Sequence, residues 1–332
     1  MRQLADEGNL AQLAATQVEI IVLRILKTRG IGTPVLLSAA VGIVLTVVFG
    51  DLPGAGRYIA VLQDACHAPA FFTLALILLV LLGRSVSTRS RSLLWRATLI
   101  LPTLLLVGIG TELWQSQIGR DAEVNDVISD LIGAGAATSF WWYWHLRDRS
   151  DDSARLHRAG TLLICLALGA LWLAPVVRCG LAYGRREAQF PVLAQFHTSL
   201  DRYFITGGIQ QQAALRVPLE RGEWPGMTLE EPVADWRGFH ELSLDLGNSS
   251  EASLPLGLRI NDRAHNGAYE DRFNTHFQLP PRARLTLHIP LNEVAHAPRG
   301  RPMDMTHITQ LILFGSGGNT GRAVLVYRIW LQ

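Results

Sequence analysis

The chain has 332 residues, a net charge of +2 and no lysine/arginine stripe of the kind nucleic acid requires, which excludes a nucleic-acid partner. Its composition divides in two: residues 31 to about 180 carry long apolar runs, whereas 185–332 alternate short apolar runs with turn residues. The apolar half excludes a soluble metabolic enzyme, and the length suits about two domains.

Residues 1–30 read as a cytoplasmic arm without a cleavable signal sequence. Within it, "VEIIVLRILKTRG" has helical amphipathic spacing but is too short and too charged to span a bilayer, so a surface-lying helix is expected. Residues 31–180 then form the membrane domain. A bilayer core needs about 20 apolar helical residues, and five segments qualify: 31–49, 58–83, 94–115, 124–145 and 159–178. Pro102 and Pro175 lie within two of them, which membrane helices tolerate. Cys66, Cys165 and Cys179 read as small apolar helix residues, and none falls in the second half to form a disulfide there.

Lysine and arginine counts across the arm and the four connections run four, one, four, one, four. The positive-inside rule then places the N-terminus in the cytoplasm and the C-terminal half outside it. The expected location is the plasma (inner) membrane, multi-pass, with a periplasmic C-terminal domain.

Between the third and fourth spans, "TELWQSQIGRDAEVNDVISDLIG" is far more polar than a short loop requires. Asp64 and His67 lie three apart near the outer end of the second span, Glu112 and Gln115 three apart near that of the third, and Asp126 and Asp130 four apart near that of the fourth. Each pair shares a helix face, so three helices direct polar groups to one depth, with Arg120 on the loop above. A charge within a span costs roughly 2.5–3.5 kcal/mol, so such groups either pair or line a wet cavity. Both readings stay open here. One is a structural knot, Arg120 with Asp126 and His67 with Asp64 or Glu112. The other is a pocket open to the outer face, where acid, base and histidine support general acid–base chemistry. No cofactor is expected. His67 with Glu112 and Asp64 or Asp130 could hold a divalent metal, but one histidine among carboxylates is weak ligand evidence, and no metal ligands are assigned.

The order D-x-x-H, E-x-x-Q-x-x-x-x-R, D-x-x-x-D-x-x-G, at Asp64, His67, Glu112, Gln115, Arg120, Asp126, Asp130 and Gly133, resembles the VanZ-like membrane family over about residues 35–146. The family commonly has asparagine where this chain has Asp130, and its second small position is Ala137 here rather than glycine. It is named for a protein that lowers susceptibility to teicoplanin. The resemblance therefore implies a bacterial cell-envelope role linked to antibiotic resistance, without implying a reaction. The small run Gly133–Ala137 suits close helix packing.

Residues 181–212 read as a connector of one or two short helices interrupted by Pro191. From 213 to 332 eight strands are expected: 213–220, 226–233, 238–248, 252–262, 271–279, 283–291, 308–315 and 322–331. Leu242, Leu244 and Leu246 alternate as one buried sheet face does. Eight short strands with turn-rich links predict a jelly-roll β-sandwich, and "DWRGFHELSLDLGN" with "LRINDRAHNGAYEDRFNTHFQL" resembles galactose-binding-like, carbohydrate-binding domains. Asp262, His265, Asn266, Tyr269, Asp271 and Arg272 offer the polar and aromatic groups of a sugar site; a loop packed on itself uses the same residues. Trp224, Trp236 and Trp330 read as core or rim anchors.

The expected architecture is thus a five-span helical bundle followed by an extracytoplasmic β-sandwich. The expected partners are membrane lipid and an envelope glycan or lipid-linked precursor. A non-catalytic scaffold or glycan-binding module is the alternative.

Overall fold

The computed structural model describes residues 32–50, 52–54, 56–84, 93–119, 123–147, 149, 151–219, 225–315 and 322–332. The arm and its amphipathic helix, Arg120 and Trp224 lie outside these residues. Two compact units meet in sequence at Val176/Val177.

The first unit holds α1 (Thr33–Phe49), α2 (Arg57–Ala65), α3 (His67–Arg84), α4 (Leu93–Gln117), α5 (Val124–Leu146) and the first part of α6 (Asp152–Gln189). Proline near the start and Gly50 just past the end delimit α1. The expected second span is two helices rather than one, broken at Cys66. Pro69 explains the break, because proline has no N–H to donate to the carbonyl four residues back, that of Ala65. The indole of Trp172 donates to that carbonyl instead, at 2.8 Å. The core is Phe71, Leu74, Ala75 and Leu79 of α3, Ile100 and Leu104 of α4, and Ala134 and Ala137 of α5. Gly133 sets the distance between α3 and α5: a Cβ there would lie 2.1 Å from the Ala68 carbonyl oxygen.

Among the described residues, three stretches are long and apolar enough to cross a membrane: Arg57–Arg84, Trp95–Gln117 and Asp152–Gln189. Thr33–Phe49 is apolar but shorter. Large apolar side chains face outward on α4 and α6, among them Leu106, Leu163 and Leu171.

The expected connector is absent as a separate segment. Helix α6 continues to Gln189, and Phe190 and Pro191 (joined by a cis bond) lead directly into a strand. The end of α6 belongs to the second unit. Arg185 donates to Asp201 at 2.6 Å, Tyr183 donates to Glu231, and Arg186 donates to the Glu231 carbonyl at 2.7 Å.

The second unit is an antiparallel β-sandwich. Its strands are β1 (Val192–Gln195), β2 (Ile205–Thr206), β3 (Ile209–Gln211), β4 (Ala214–Pro218), β5 (Gly226–Glu230), β6 (Glu241–Asn248), β7 (Leu254–Asp262), β8 (Phe273–Leu279), β9 (Arg284–Pro290), β10 (Ile308–Gly315) and β11 (Ala323–Leu331). A 3₁₀ turn, Ser199–Arg202, follows β1, and a short helix α7, Leu291–Ala295, follows β9. One sheet runs β3-β4-β11-β6-β9, with β1 also on β11; the other runs β2-β5-β10-β7-β8. All eight strands read from alternation are present, and β1, β2 and β3 are additional. Inward positions carry Leu242, Leu244 and Leu246 on β6 and Leu254, Leu256, Leu258 and Ile260 on β7, all within the core. Burying each such side chain contributes about 2 kcal/mol. Trp236 is fully buried and donates to the Val233 carbonyl at 2.8 Å, a core anchor.

Candidate functional site

Three helix ends bring the sequence-predicted polar residues of the first unit together. His67 is the first residue of α3, Glu112 and Gln115 lie in the last two turns of α4, and Asp126 and Asp130 lie in the first two of α5. All five are buried, Asp130 completely. The His67 contacts differ from the expected pairing with Asp64 or Glu112, while the expected Arg120–Asp126 pair lies outside the described residues. His67 Nδ1 faces Asp130 Oδ1 at 3.1 Å, and Nε2 faces Asp126 Oδ2 at 3.4 Å. Glu112 Oε2 accepts the Glu123 backbone N–H at 2.8 Å, and Gln115 donates to the Val47 carbonyl at 3.0 Å, tying α4 to α1. Asp64, across the break at Cys66, is half-buried and close enough to Asp126 to act on it electrostatically.

Glu112 Oε1, Asp126 Oδ1 and Asp130 Oδ2 are buried without a hydrogen-bond partner among the described residues. Glycine makes room for this cluster, since a Cβ on Gly108 would lie 2.6 Å from Asp130 Oδ2. On its other side, His67 lines a cleft of about 570 Å³ with Gln63, Cys66, Thr46 and the apolar residues Ile43 and Val47. The cluster thus offers one imidazole and three carboxylates for proton transfer or for binding a cation.

The six loop residues of the sandwich are arranged differently. Asp262 and Asp271 both bind Arg301, which lies well downstream in sequence. Arg301 donates to Asp262 at 2.8 and 2.5 Å and to Asp271 at 2.6 Å. The Asp304 N–H adds a bond to Asp262, and the Asn266 N–H adds one to Asp271. Burial raises the Asp262 pKa, but the Arg301 and Asp304 bonds outweigh it and hold the carboxyl below its ordinary value. Arg301 and the Asn266 N–H hold Asp271 low as well. His265 engages the Asp271 carbonyl at 2.8 Å. These groups lock the loop to the sheet. Tyr269 is exposed, and Arg272 lies over its ring at 5.1 Å.

Strand register shows a second set that alternation alone did not single out. On the outer face of the five-stranded sheet, Gln310 sits between Glu230 and Asn261, and Ile312 sits between Thr228 and Arg259. Arg259 in turn pairs across to Asn274, and Gly257 to His276. Neighbouring strands are about 4.8 Å apart, so a row across four strands measures roughly 14 Å. Asn261 donates to Gln310 at 3.1 Å, and Arg272 donates to Asn274 at 3.2 Å. The Phe314 ring lies over Gly257, where a Cβ would meet it at 2.4 Å. Arg259 Nε and Asn261 Oδ1 are buried without a hydrogen-bond partner among the described residues. The sequence signal was the period-two placement of Arg259 and Asn261 on either side of the core residue Ile260, which puts them on the face opposite the core.

No protein-family model matches this chain, and no curated protein matches it. Solved structures are similar to part of it. An agarase, AgWH50C, aligns at 14% identity and TM-score 0.35 over 42% of this chain and 26% of its own. A family 11 carbohydrate-binding module from Clostridium thermocellum, solved with a β-1,3-1,4-mixed-linked tetrasaccharide, aligns at 17% and 0.28 over 38% of this chain and 79% of its own. A carbohydrate-binding module of the CBM28 type, specific for non-crystalline cellulose, aligns at 11% and 0.28 over 39% and 78%. The chain spans between 20% and 26% of the length of the first solved structures it matches. Likeness at these scores carries no functional argument.

Proposed function

We propose that this protein is a multi-pass membrane protein of the bacterial cell envelope that holds an envelope glycan, free or lipid-linked, outside the cytoplasm. The observation that carries this reading is the outer face of the β2-β5-β10-β7-β8 sheet. Arg259, Asn261, Asn274 and Gln310 present planar hydrogen-bonding groups in register beside the Phe314 ring, with Tyr269 and Arg272 at one edge. Sugar sites combine such convergent polar groups with aromatic platforms.

Membrane placement rests on the apolar helices, their outward leucines and the alternating lysine/arginine counts. Five spans with the sandwich outside satisfy that alternation. The resemblance of residues 35–146 to the VanZ-like family supplies the envelope setting. In this reading His67, Glu112, Gln115, Asp126 and Asp130 form a polar site at the outer ends of the helices, beside a cleft with apolar walls suited to a lipid chain.

The test is retention of the detergent-solubilised full chain on peptidoglycan and on soluble envelope polysaccharides. The double variant R259A/N261A should lose at least tenfold in retention, since hydrogen bonds to charged groups contribute about 1.5–3 kcal/mol each. Equal retention of wild type and double variant would remove the glycan reading. An alkaline-phosphatase fusion after Gly207, whose enzyme needs disulfides that form only outside the cytoplasm, should be active; an inactive fusion that is expressed at the same level would remove the orientation. A non-catalytic scaffold is the second reading, favoured by the carboxylate facing each nitrogen of His67. It predicts that H67Q lowers thermal stability while leaving glycan retention and phenotype unchanged.

A further inference from the structure

We propose that His67, Glu112 and Asp126 bind one divalent transition-metal ion, with Asp130 as the positioning residue behind the histidine. The proposal goes beyond glycan binding and stands on a different unit of the protein.

The ligand set comes first. One imidazole nitrogen and two carboxylate oxygens, from three separate helices, lie within 4.8 Å of one another, and all three residues are buried. Nitrogen and oxygen donors without sulfur suit zinc, manganese or iron(II) rather than a soft ion such as copper(I).

The orientation of His67 comes second. With Asp130 ionised and His67 neutral, the contact with Nδ1 places the imidazole proton there, because a carboxylate can only accept. Nε2 then turns its lone pair toward Asp126 Oδ2, 3.4 Å away. Two acceptors facing each other at that distance repel unless something positive lies between them. Ligand atoms about 2.0–2.1 Å from a tetrahedral metal lie roughly 3.3 Å apart, close to this separation. A carboxylate on the far nitrogen of a metal-bound histidine is a recurring arrangement that fixes its tautomer and raises its basicity. Glu112 is oriented the same way, its Oε2 being held by the Glu123 N–H.

The unpartnered oxygens come third. Glu112, Asp126 and Asp130 are at most 8% exposed, yet each keeps one oxygen without a hydrogen-bond partner among the described residues. A buried, bare carboxylate oxygen is costly. Even a protonated His67 sets one positive charge against these three carboxylates. A divalent ion neutralises two of the charges, meets Asp126 through the Oδ2 that faces His67 Nε2, and gives the bare Oε1 of Glu112 a partner. Three protein ligands also leave at least one coordination position for water or for an oxygen of a bound molecule.

The test uses the tag-free full chain in detergent, stripped with chelator and titrated with zinc by calorimetry and with cobalt(II) by visible absorbance. Wild type should bind one ion per chain. E112Q and D126N should lose stoichiometric binding while eluting as monodisperse, folded protein. D130N should keep the stoichiometry and weaken affinity about 10–100-fold. If those variants do not fold, zinc K-edge absorption on the wild type decides. One imidazole plus oxygen ligands at about 2.0–2.1 Å supports the site, and sulfur or several imidazoles in the shell overturns it. Absence of stoichiometric binding to the wild type, or equal binding by folded E112Q and D126N, also overturns it. Either failure leaves the sheet-face reading intact, because that reading is measured by glycan retention of R259A/N261A.

Discussion

Two regions of this molecule bury the same kinds of side chain and treat them differently. In the sandwich, all four carboxylate oxygens of Asp262 and Asp271 have donors, from Arg301, the Asp304 N–H and the Asn266 N–H. In the helical cluster, Glu112, Asp126 and Asp130 each keep one bare oxygen. The first arrangement consumes its own polarity and holds a loop in place. The second keeps polarity in reserve. Buried charge alone therefore does not mark a site; unmet demand around it does.

Separating the helices that create the demand should have the largest effect. G133L places a side chain against the Ala68 backbone, so α5 cannot approach α3. Overpacking of this kind costs about 3 kcal/mol or more, and the protein should aggregate in size-exclusion chromatography. R301A leaves two carboxylates without their cation and should cost about 3 kcal/mol in chemical denaturation. R301A/D262N should recover part of that loss, because one stranded charge is removed along with its partner.

Neutralising one carboxylate in each region sharpens the contrast. D262N removes an acceptor from a saturated pair and should destabilise by about 1–2 kcal/mol. E112Q, which keeps an oxygen for the Glu123 N–H, should leave the metal-free protein as stable or raise its melting temperature. A matching loss in both would show that the cluster is saturated too. Acid should separate the regions further. Asp262, Asp271 and Asp201 are held below their ordinary pKa values. Their contribution to stability is therefore complete above the unfolded value of about 4 and is lost as pH falls through the lower folded values. Denaturation followed by Trp236 fluorescence should show the sandwich weakening below about pH 4, with less of that dependence in R301A. The smallest expected effect is that of W172F, which frees the Ala65 carbonyl at the α2–α3 break; about 1 kcal/mol is expected in a thermal shift assay.

Much of this was legible in the sequence because periodicity is a local property. The eight main strands followed from alternation, and the convergence of His67, Glu112, Gln115, Asp126 and Asp130 followed from i, i+3 and i, i+4 spacing on three helices. What was missed depends on contacts between distant residues. Arg301 lies thirty residues beyond Asp271, and nothing local links the two. The His67–Asp130 pairing depends on how closely α3 and α5 approach, which Gly133 sets through the Ala68 backbone. Strands β1, β2 and β3 are two to four residues long, too short for alternation to register. The connector differs from its expected form because Pro191 interrupts no helix: it follows the end of α6 and leads into β1.

The two sheets finish at one side in strands of two to four residues, β2 in one and β1 and β3 in the other, and at the opposite side in the seven-residue strands β8 and β9, which follow each other in sequence. Stubs of that length give a foreign strand little to pair with. Edge-to-edge association is thereby confined to one margin. That margin is already unfavourable for a smooth cross-chain ladder: β9 carries Arg284 and His288 and closes on Pro290, which lacks the donor needed to extend it. Short, charged and proline-ended edges of this kind disfavour strand-to-strand pairing between copies.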